Sequence, residues 1–461
     1  MFKADHYQRI IREADTIHTE GRVIQVIGTV IEGTLPDCSI GQFCQILPGG
    51  QEPPLRAEVV GFNRDRVLIM PLGDMRGLKP GCRIVSLRHS PTIPVGPDLL
   101  GRVLDGLGQP MDGGPALAPE EEYPIYNEPV SAFLRERISL PLDLGVRAIN
   151  GLLTCAIGQR IGIMAGSGVG KSTLLGMIAR QTRADINVIA LVGERGRELN
   201  DFIARDLGPE GLARSVVVAA TSDRSPLERV RSAFVATAIA EYFRDQGREV
   251  LLIMDSVTRF AMAQREIGLS IGEPPTTKGY TPSVFALLPK LLERAGKGAA
   301  GMGSITGLYS VLVDGDDMTE PIADATRSIL DGHIVLARAL ADQGHYPAIE
   351  VLASKSRLMT EVVSPEHWQA SQDVQALIAA YDKAETLINI GAYVAGSNPT
   401  IDRAIRMREP ILAYLHQGVF EPAPLDDCQR RLYELARQAA APPPMARSAA
   451  GAGAANQGVV R

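Results

Sequence analysis

The stretch Ala165-Gly-Ser-Gly-Val-Gly-Lys-Ser172 decides the fold of the central part of this chain. A strand-like apolar run at residues 160–164 precedes it, and a helical pattern at residues 172–182 follows it. Glycines in a strand–loop–helix connection let backbone N–H groups surround phosphate oxygens, and the helix N-terminus adds a favourable dipole. The motif usually opens with glycine, where this chain has Ala165. The predicted phosphate-binding residues are Gly166, Ser167, Gly168, Val169, Gly170, Lys171, Ser172 and Thr173.

Lys171 and Ser172 carry the chemistry of this loop. A lysine here places a positive charge on the β- and γ-phosphates, and the serine hydroxyl is a ligand for Mg²⁺. A second magnesium ligand is predicted at Asp255, which ends an apolar strand. In a sheet of this kind, an aspartate at the carboxyl end of a strand lies beside the phosphate loop. The alternative, an aspartate that only caps the next turn, is disfavoured because a phosphate loop occurs in the same chain.

The segment Gly193-Glu-Arg-Gly-Arg-Glu198 supplies two further carboxylates. It follows an apolar strand, so it is expected at the sheet edge where ligands bind. Hydrolysis requires a carboxylate that orients and polarises the attacking water. Residue types alone do not distinguish Glu194 from Glu198, and they do not exclude a surface cluster of ion pairs with Arg195 and Arg197.

The pattern along the chain predicts several domains. Residues 95–380 alternate strands and helices, which predicts an α/β domain with a mostly parallel sheet covered on both faces. The predicted strands include residues 160–164, 187–192, 215–220 and 250–254, and the predicted helices include 172–182 and 226–245. Residues 21–94 contain short apolar runs between turn signals, which predicts a small closed or sandwiched β domain. Residues 381–439 follow a helical pattern. Residues 1–20 predict an amphipathic helix that packs on the chain or binds a partner, and residues 440–461 predict a disordered tail.

Composition narrows the class of protein. The 461 residues carry a net charge of -6 and 5% aromatic residues, whereas nucleic-acid binders usually have a basic surface. No apolar stretch reaches the length of a membrane span, and the N-terminal segment lacks the apolar core of a signal peptide. The 5 cysteines show no CxxC spacing, so buried, reduced thiols are expected. We therefore expect a cytoplasmic protein that binds no nucleic acid.

Longer segments resemble the catalytic subunits of rotary ATP synthases and, within that superfamily, the flagellum-specific and type III protein-export ATPases. The synthase-like segments are GRVLDGLGQPMD at 101–112, the phosphate loop, GERGRE at 193–198 and SKSR at 354–357. The export-type segments are AMAQREIGL at 261–269, GEPP at 272–275, KGYTPSVF at 278–285, DGDDMTEPIAD at 314–324 and DGHIVL at 331–336. The resemblance spans about residues 20–435. It implies an N-terminal β-barrel, a P-loop (RecA-like) domain and a C-terminal helical domain.

The resemblance also assigns roles to single residues. It implies that Glu194 activates water and that Asp255 is the metal-site carboxylate. Arg195 resembles an arginine near the γ-phosphate, and Arg259 resembles a further active-site arginine. The predicted metal ligands are Ser172 and Asp255, and the predicted catalytic residues are Lys171, Glu194, Arg195, Arg259 and Arg357.

Two of these matches lie late in the chain. Tyr346 resembles the residue whose ring stacks on adenine, and Arg357 resembles the arginine finger offered to a neighbouring subunit. Without the match, Tyr346 would be interpreted as a core residue and Arg357 as part of a surface ion pair. Phe420 is a weaker candidate for the other wall of the adenine pocket.

The implied activity is hydrolysis of ATP with Mg²⁺ by a homohexamer that has nucleotide at its subunit boundaries. Its implied role is to energise cargo or chaperone release and protein export in the flagellar or type III export apparatus. The expected partners are further copies of the chain, regulator and stalk proteins, the export gate and cargo–chaperone complexes. Partners of this kind would hold the chain at the cytoplasmic face of the inner membrane.

Four other functions compete with this one. A rotary synthase catalytic subunit shares the catalytic residues, but residues 388–405 resemble the export family and lack the acidic run of the synthase subunit. An RNA-translocating hexameric helicase should carry a basic, aromatic platform, which the acidic balance disfavours. A structural subunit without hydrolysis should lack the water-activating carboxylate. A virulence-type secretion ATPase is the nearest alternative, and TTKGYTP at 276–282 favours the flagellar type.

Overall fold

The structure is a computed structural model that describes residues 19–50, 52–87, 91–313, 315 and 317–441. The predicted N-terminal helix at 1–20 and the predicted tail at 440–461 lie almost wholly outside the described residues, so both stay predictions.

The first described domain is a closed six-stranded antiparallel barrel with the strand order β1–β2–β5–β4–β3–β6. The short apolar runs separated by turns form these strands, which confirms the predicted closed β domain. Every second side chain points inward, and the barrel has a core of its own that includes Ile31, Ile46, Val59 and Ile69. The strands are β1 Glu20–Ile27, β2 Val30–Thr34, β3 Phe43–Leu47, β4 Leu55–Asn63, β5 Arg66–Pro71 and β6 Arg83–Ser86.

The central domain contains a nine-stranded sheet with the order β19–β18–β12–β17–β15–β13–β14–β8, and β16 pairs with β17. Strands β18 to β8 in this order are parallel, and β19 is antiparallel at one edge. The sheet strands are β8 Val103–Asp105, β12 Arg160–Ala165, β13 Ile186–Val192, β14 Ser215–Ala220, β15 Glu249–Asp255, β16 Gly296–Lys297, β17 Ser304–Leu312, β18 Gly332–Leu336 and β19 Ile349–Ser356. The remaining strands are β7 Thr92–Val95, β9 Glu121–Pro124, β10 Pro141–Leu142 and β11 Cys155–Ala156.

Helices cover both faces of this sheet, as the near-continuous apolar strands predict. Successive residues of β13 face opposite cores: Val188 packs with one helical layer and Ile189 with the other. The helices of the central domain are α1 Arg147–Leu152, α2 Lys171–Gln181, α3 Gly196–Asp201, a π-helical turn Phe202–Leu207, α4 Gly208–Ala213, α5 Pro226–Asp245, α6 Val257–Ser270, α7 Pro282–Leu292, α8 Pro321–Ile329, α9 Arg338–Asp342 and α10 Met359–Val362.

The C-terminal domain is helical and packs on the same core as α2. Its helices are α11 Pro365–Asn389, α12 Pro399–Leu415 and α13 Leu425–Ala440. Two predicted domain boundaries need correction, because residue 94 lies inside β7 and residue 381 lies inside α11. Helix α11 begins at Pro365, and His367, Ala370 and Val374 in its first turns are buried. The start of the helix therefore lies before the residue at which the sequence pattern placed the domain boundary. In the described part of the chain, no helix is both long enough and apolar enough to cross a membrane.

The parallel strands give the sheet two different edges. At the carboxyl edge, β12 leads into the phosphate loop, β13 leads into residues 193–198, and β15 ends at Asp255. At the amino edge lie Arg160, which begins β12, and Asp331, whose N–H donates to the Arg160 carbonyl at 2.9 Å.

Candidate active site

The phosphate loop lies between β12 and α2 at the carboxyl edge. Gly168 and Gly170 have φ values of 80° and 94°, a region in which residues with a Cβ atom are strained. Val169 is buried with 1% exposure and anchors the loop, whereas Ser167 is exposed and its carbonyl accepts a hydrogen bond from Arg338 Nη2 at 3.0 Å. Helix α2 begins at Lys171, so its first N–H groups face the space above the loop.

Lys171 and Asp255 are brought together at the base of this space. The Lys171 ammonium forms an ion pair with Oδ1 of Asp255, whose residue is only 3% exposed. The hydroxyl of Ser310, on β17, donates to the same oxygen at 2.6 Å. The carboxylate is therefore charge-compensated and hydrogen-bonded although it is buried.

Glu194 lies beside this pair and is partly buried. Burial raises the pKa of Glu194 to about 7, the Asp255 carboxylate and a hydrogen bond with Glu198 act in the same direction, and Lys171 and Arg259 oppose them. By contrast, Glu198 is exposed and pairs with Arg195 at 3.2 Å. Of the two carboxylates that the sequence left open, the structure therefore places Glu194 close to the charges of the phosphate-binding site.

The two predicted active-site arginines differ in environment. Arg259 packs closely against Gly193: a Cβ atom placed on residue 193 would lie only 3.0 Å from the Arg259 Cβ. Its Nε atom is buried and has no hydrogen-bond partner among the described residues. The side chain of Arg195 is 77% exposed, and its recorded partner is Glu198 on the same helix turn. An orphaned guanidinium N–H near Glu194 and Lys171 fits an anionic ligand at this position.

A cavity of about 340 Å³ opens beside the loop and α2. The Tyr346 ring forms one wall of this cavity, and Tyr346 is 41% exposed. The ring lies so close to Gly170 that a Cβ atom placed on residue 170 would be 3.5 Å from it. The C-terminal domain supplies Gln417 and Val419 to the lining. Phe420 does not line this cavity, because its ring lies against the Arg180 guanidinium at 4.8 Å. Val419, the residue before it, lines the cavity instead, and the role of Phe420 at an adenine ring stays a prediction.

Arg357 is the one predicted catalytic residue at the amino edge. Its N–H donates to the Asp331 carbonyl at 2.9 Å, and its Nη2 donates to the Arg327 carbonyl at 3.3 Å. The Asp331 carboxylate accepts from the backbone N–H and Nε of Arg160, both at 3.1 Å. Strand β12 separates Arg160 from the phosphate loop by roughly 17 Å. The exposed Arg357 side chain therefore lies far from Lys171 of its own chain.

The donor set fits ATP with Mg²⁺. The glycine cradle, the Lys171 ammonium and the orphaned Arg259 Nε suit phosphate oxygens, and the Ser172 hydroxyl and Asp255 carboxylate are the oxygen ligands that Mg²⁺ prefers. Ser172 is exposed in the first turn of α2, next to Lys171. Thr173 belongs to the cavity lining.

Sequence reasoning missed some residues of this site. Ser310 could have been found as a small hydroxyl side chain inside a buried strand, a position that usually requires a hydrogen-bond partner. Gln417 and Val419 could not, because nothing in their local pattern places a C-terminal loop against α2. Four of the five predicted thiols are buried as expected, and Cys38 is only half-buried.

Comparison with known proteins agrees with this architecture. Residues 145–356 match the ATP synthase alpha/beta family, nucleotide-binding domain, and residues 23–88 match the beta-barrel domain of that family. Residues 363–434 match the T3SS EscN ATPase C-terminal domain. The three matched regions follow one another in the order barrel, sheet domain and helical domain.

Individual relatives are similar along nearly their whole length. A flagellum-specific ATP synthase of Bacillus subtilis is 53% identical over 90% of this chain and 95% of the relative. The structure of the assembled ATPase EscN from the enteropathogenic E. coli type III secretion system is 48% identical, with a TM-score of 0.85 over 90% of this chain and 100% of that chain. EscN in complex with its central stalk EscO is 47% identical, with a TM-score of 0.83 over the same shares. The chain therefore belongs to the ATP synthase alpha/beta family and, within it, to the flagellum-specific and type III secretion ATPases, enzymes that hydrolyse ATP.

Proposed function

We propose that this chain is a Mg²⁺-dependent ATPase that works as a homohexamer and energises protein export by a flagellar or related type III apparatus. One observation carries the shared-site part of the proposal: Lys171 and Asp255 lie at the carboxyl edge of the sheet, and Arg357 lies at the amino edge. A ring of identical subunits joins unlike surfaces, so the amino edge of one subunit faces the carboxyl edge of the next. Arg357 would then complete the active site of its neighbour.

Each residue of the carboxyl edge has a role in this proposal. Lys171 binds the β- and γ-phosphates, and Ser172 and Asp255 hold Mg²⁺, which supplies charge neutralisation on the phosphates. Glu194 orients the attacking water and accepts its proton, and its raised pKa makes it a better proton acceptor than an exposed glutamate.

The remaining proposed contacts involve the base and the γ-phosphate. The adenine ring stacks on Tyr346 in the cavity shared with the C-terminal domain. Arg259 binds the γ-phosphate through its orphaned N–H. Arg195 is held by one exposed pair with Glu198, which is worth only about 0.3–0.5 kcal/mol, so it can turn toward the phosphates.

The partners follow from the relatives and from the helical domain. EscN assembles and binds the central stalk EscO, and we propose that this chain likewise binds itself and a stalk protein. Exposed apolar side chains of the helical domain, Leu387, Ile390 and Val394, support a contact of that kind. A regulator, the export gate and cargo–chaperone complexes complete the proposed set and place the ring at the cytoplasmic face of the inner membrane. The rotary synthase alternative is not favoured, because residues 363–434 match the secretion ATPases.

Mixed rings test the shared site. Arg357→Ala and Glu194→Gln should each bind ATP and hydrolyse almost none. The first variant lacks an arginine finger, which supplies roughly 10³–10⁵ in rate in comparable enzymes. The second variant lacks the carboxylate that orients water. When the two variants are mixed, some boundaries pair an intact Glu194 with an intact Arg357. Activity should return at those boundaries.

If rings that are verified by mass to be mixed show no return of activity, two causes are possible. Doping either variant into wild-type rings then separates these causes. Loss of activity far beyond the mutant fraction would mean that every site of the ring must turn over in concert. Loss in proportion to the mutant fraction would mean that Arg357 does not act across the boundary.

A further inference from the structure

Three exposed apolar side chains lie in the short segment that leads from β9 toward β10. Phe133 is 99% exposed, Leu134 is 64% exposed and Leu140 is 56% exposed. Phe133 has the highest exposure of any large apolar side chain in the described part of the chain. We call these three residues the apolar ledge. A phenylalanine that projects wholly into water loses all the free energy that its burial would supply, so a fixed ring of this kind indicates a binding surface.

The ledge is held in place by the residue that follows it. The Arg135 guanidinium donates to three carbonyls, those of Val130 at 3.0 Å, Ala295 at 2.9 Å and Glu293. Next to it, the N–H of Glu136 donates to the Gly298 carbonyl at 3.0 Å. The backbone on the C-terminal side of Phe133 is thus tied to the sheet domain, and the ring projects from an anchored position rather than from a free loop tip.

The ledge belongs to the amino edge of the sheet. Glu293, whose carbonyl binds Arg135, forms an ion pair with Arg160, the first residue of β12. The Leu140 carbonyl accepts from the Ile157 N–H at 2.9 Å, three residues before β12. Arg357 is tied to the same edge, since its N–H binds Asp331, which in turn binds Arg160.

We infer that the apolar ledge is the docking anchor by which one copy of this chain seats its amino edge on the carboxyl edge of the next copy and so delivers Arg357 to the neighbouring nucleotide site. This inference rests on the proposed function, because it assumes a ring in which Arg357 acts across the boundary. The argument rests on the continuity of this edge: contacts through Glu293, Arg160 and Asp331 link the ledge to Arg357, so the surface that presents Arg357 to a neighbour extends toward the ledge. The partner is therefore a second copy of this chain.

The chemistry of the segment suits such an interface. Aromatic anchors at the centre of a contact carry much of its binding energy, and charged residues belong to the rim. Beside the ledge, Glu136 is exposed and Arg137 pairs with Glu361 at 2.8 Å. A central apolar group with charged neighbours is what a specific protein contact requires.

Replacement of Phe133 tests the anchor. In the full chain, Phe133→Ser should raise the protein concentration at half-assembly by about tenfold or more, measured by sedimentation or mass photometry with a non-hydrolysable ATP analogue. The matched control is Ile40→Ser, which removes an apolar side chain that is 68% exposed in the barrel domain and should leave the assembly midpoint unchanged. Equal midpoints for Phe133→Ser and wild type would overturn the inference.

Activity distinguishes this inference from the function on which it rests. Phe133→Ser keeps Lys171, Glu194 and Arg357, so at sufficiently high protein concentration it should reach the wild-type rate per chain. Arg357→Ala should stay inactive at every concentration although it assembles. If Phe133→Ser assembles normally while Arg357→Ala is inactive, the docking role fails and the shared site stands. If Arg357→Ala hydrolyses ATP normally, the shared site itself fails.

A second variant distinguishes a loss of docking from a loss of folding. The chain has 1 Trp, so Phe133→Trp in a Trp368→Phe background places a single indole on the ledge while preserving an aromatic side chain. Its emission should match that of a solvated indole at low concentration and shift to shorter wavelength on assembly. An emission maximum that stays constant while the mass rises to that of a hexamer would show that position 133 remains in water and would also overturn the inference.

Discussion

Glu194→Gln should have opposite effects on turnover and on stability. The amide keeps the shape of the side chain but cannot accept a proton, so ATP should bind and turnover should fall to near background. The same substitution removes a carboxylate that lies partly buried beside Asp255. We therefore expect the nucleotide-free variant to be more stable than wild type at neutral to alkaline pH.

The size and sign of the effect follow from the pKa. Burial, with help from Asp255, raises the pKa of Glu194 from 4.5 to about 7, so the folded chain binds this proton more tightly than the unfolded chain. Stability therefore falls as pH rises through the window between those two values and stays low above it. The full difference would be ~3 kcal/mol, and because part of the carboxyl remains in water we expect ~1–2 kcal/mol.

Thermal unfolding without nucleotide measures this gain. Near pH 8, Glu194→Gln should melt about 2–4 °C above wild type, and below about pH 4 the two should nearly coincide because the wild-type carboxyl is then mostly protonated in both the folded and the unfolded chain. Glu128→Gln, at an exposed carboxylate, is the matched control and should change neither temperature. A stability gain that is equal at both pH values would refute the electrostatic explanation, and so would the absence of any gain near pH 8.

Other substitutions probe the remaining parts of the molecule. Lys171→Ala should weaken ATP binding by about 10–100-fold in a titration, because a charge-assisted contact is lost and Asp255 is left buried without its partner. Tyr346→Ala should weaken ATP binding by a similar factor, ~1–3 kcal/mol for a stacked base, without changing the rate at saturation. Glu241→Gln should destabilise the fold by ~3–5 kcal/mol in denaturant unfolding, since it breaks a pair with Arg294 in which both side chains are at most 1% exposed. Each expectation fails if the variant matches wild type in the named measurement.

The central sheet was largely predictable because each strand carries its own signal. β14 matches the predicted strand at both ends, and β12, β13 and β15 each differ from theirs by one residue at one or both ends. Parallel strands that are buried on both faces have continuous apolar sequences. Such strands can therefore be predicted without knowing which strands lie beside them in the sheet. Helix α5 was predicted with its observed limits, Pro226–Asp245, and a serine N-cap followed by proline marks its start.

Contacts between distant segments were not predictable in the same way. Gln417 and Val419 reach the cavity beside the phosphate loop only because α12 ends beside α2, and no local pattern encodes that packing. The ring of Phe420 lies against the Arg180 guanidinium, a contact that no local pattern around either residue indicates. The order of the strands in the sheet determines which distant segments come into contact. The sequence pattern predicts the strands but not their order.

The edge of the sheet on which a residue lies is the property that links fold to function here. Lys171, Asp255 and Glu194 follow strands and therefore share the carboxyl edge, as a sequence can anticipate. Arg357 also follows a strand, but β19 is antiparallel to its neighbour, so the end of that strand returns to the amino edge. A single reversal in strand direction thus separates the arginine from the phosphate loop of its own chain. Only a second chain can bring the two together, which makes assembly a condition for hydrolysis in the proposed mechanism rather than an accessory to it.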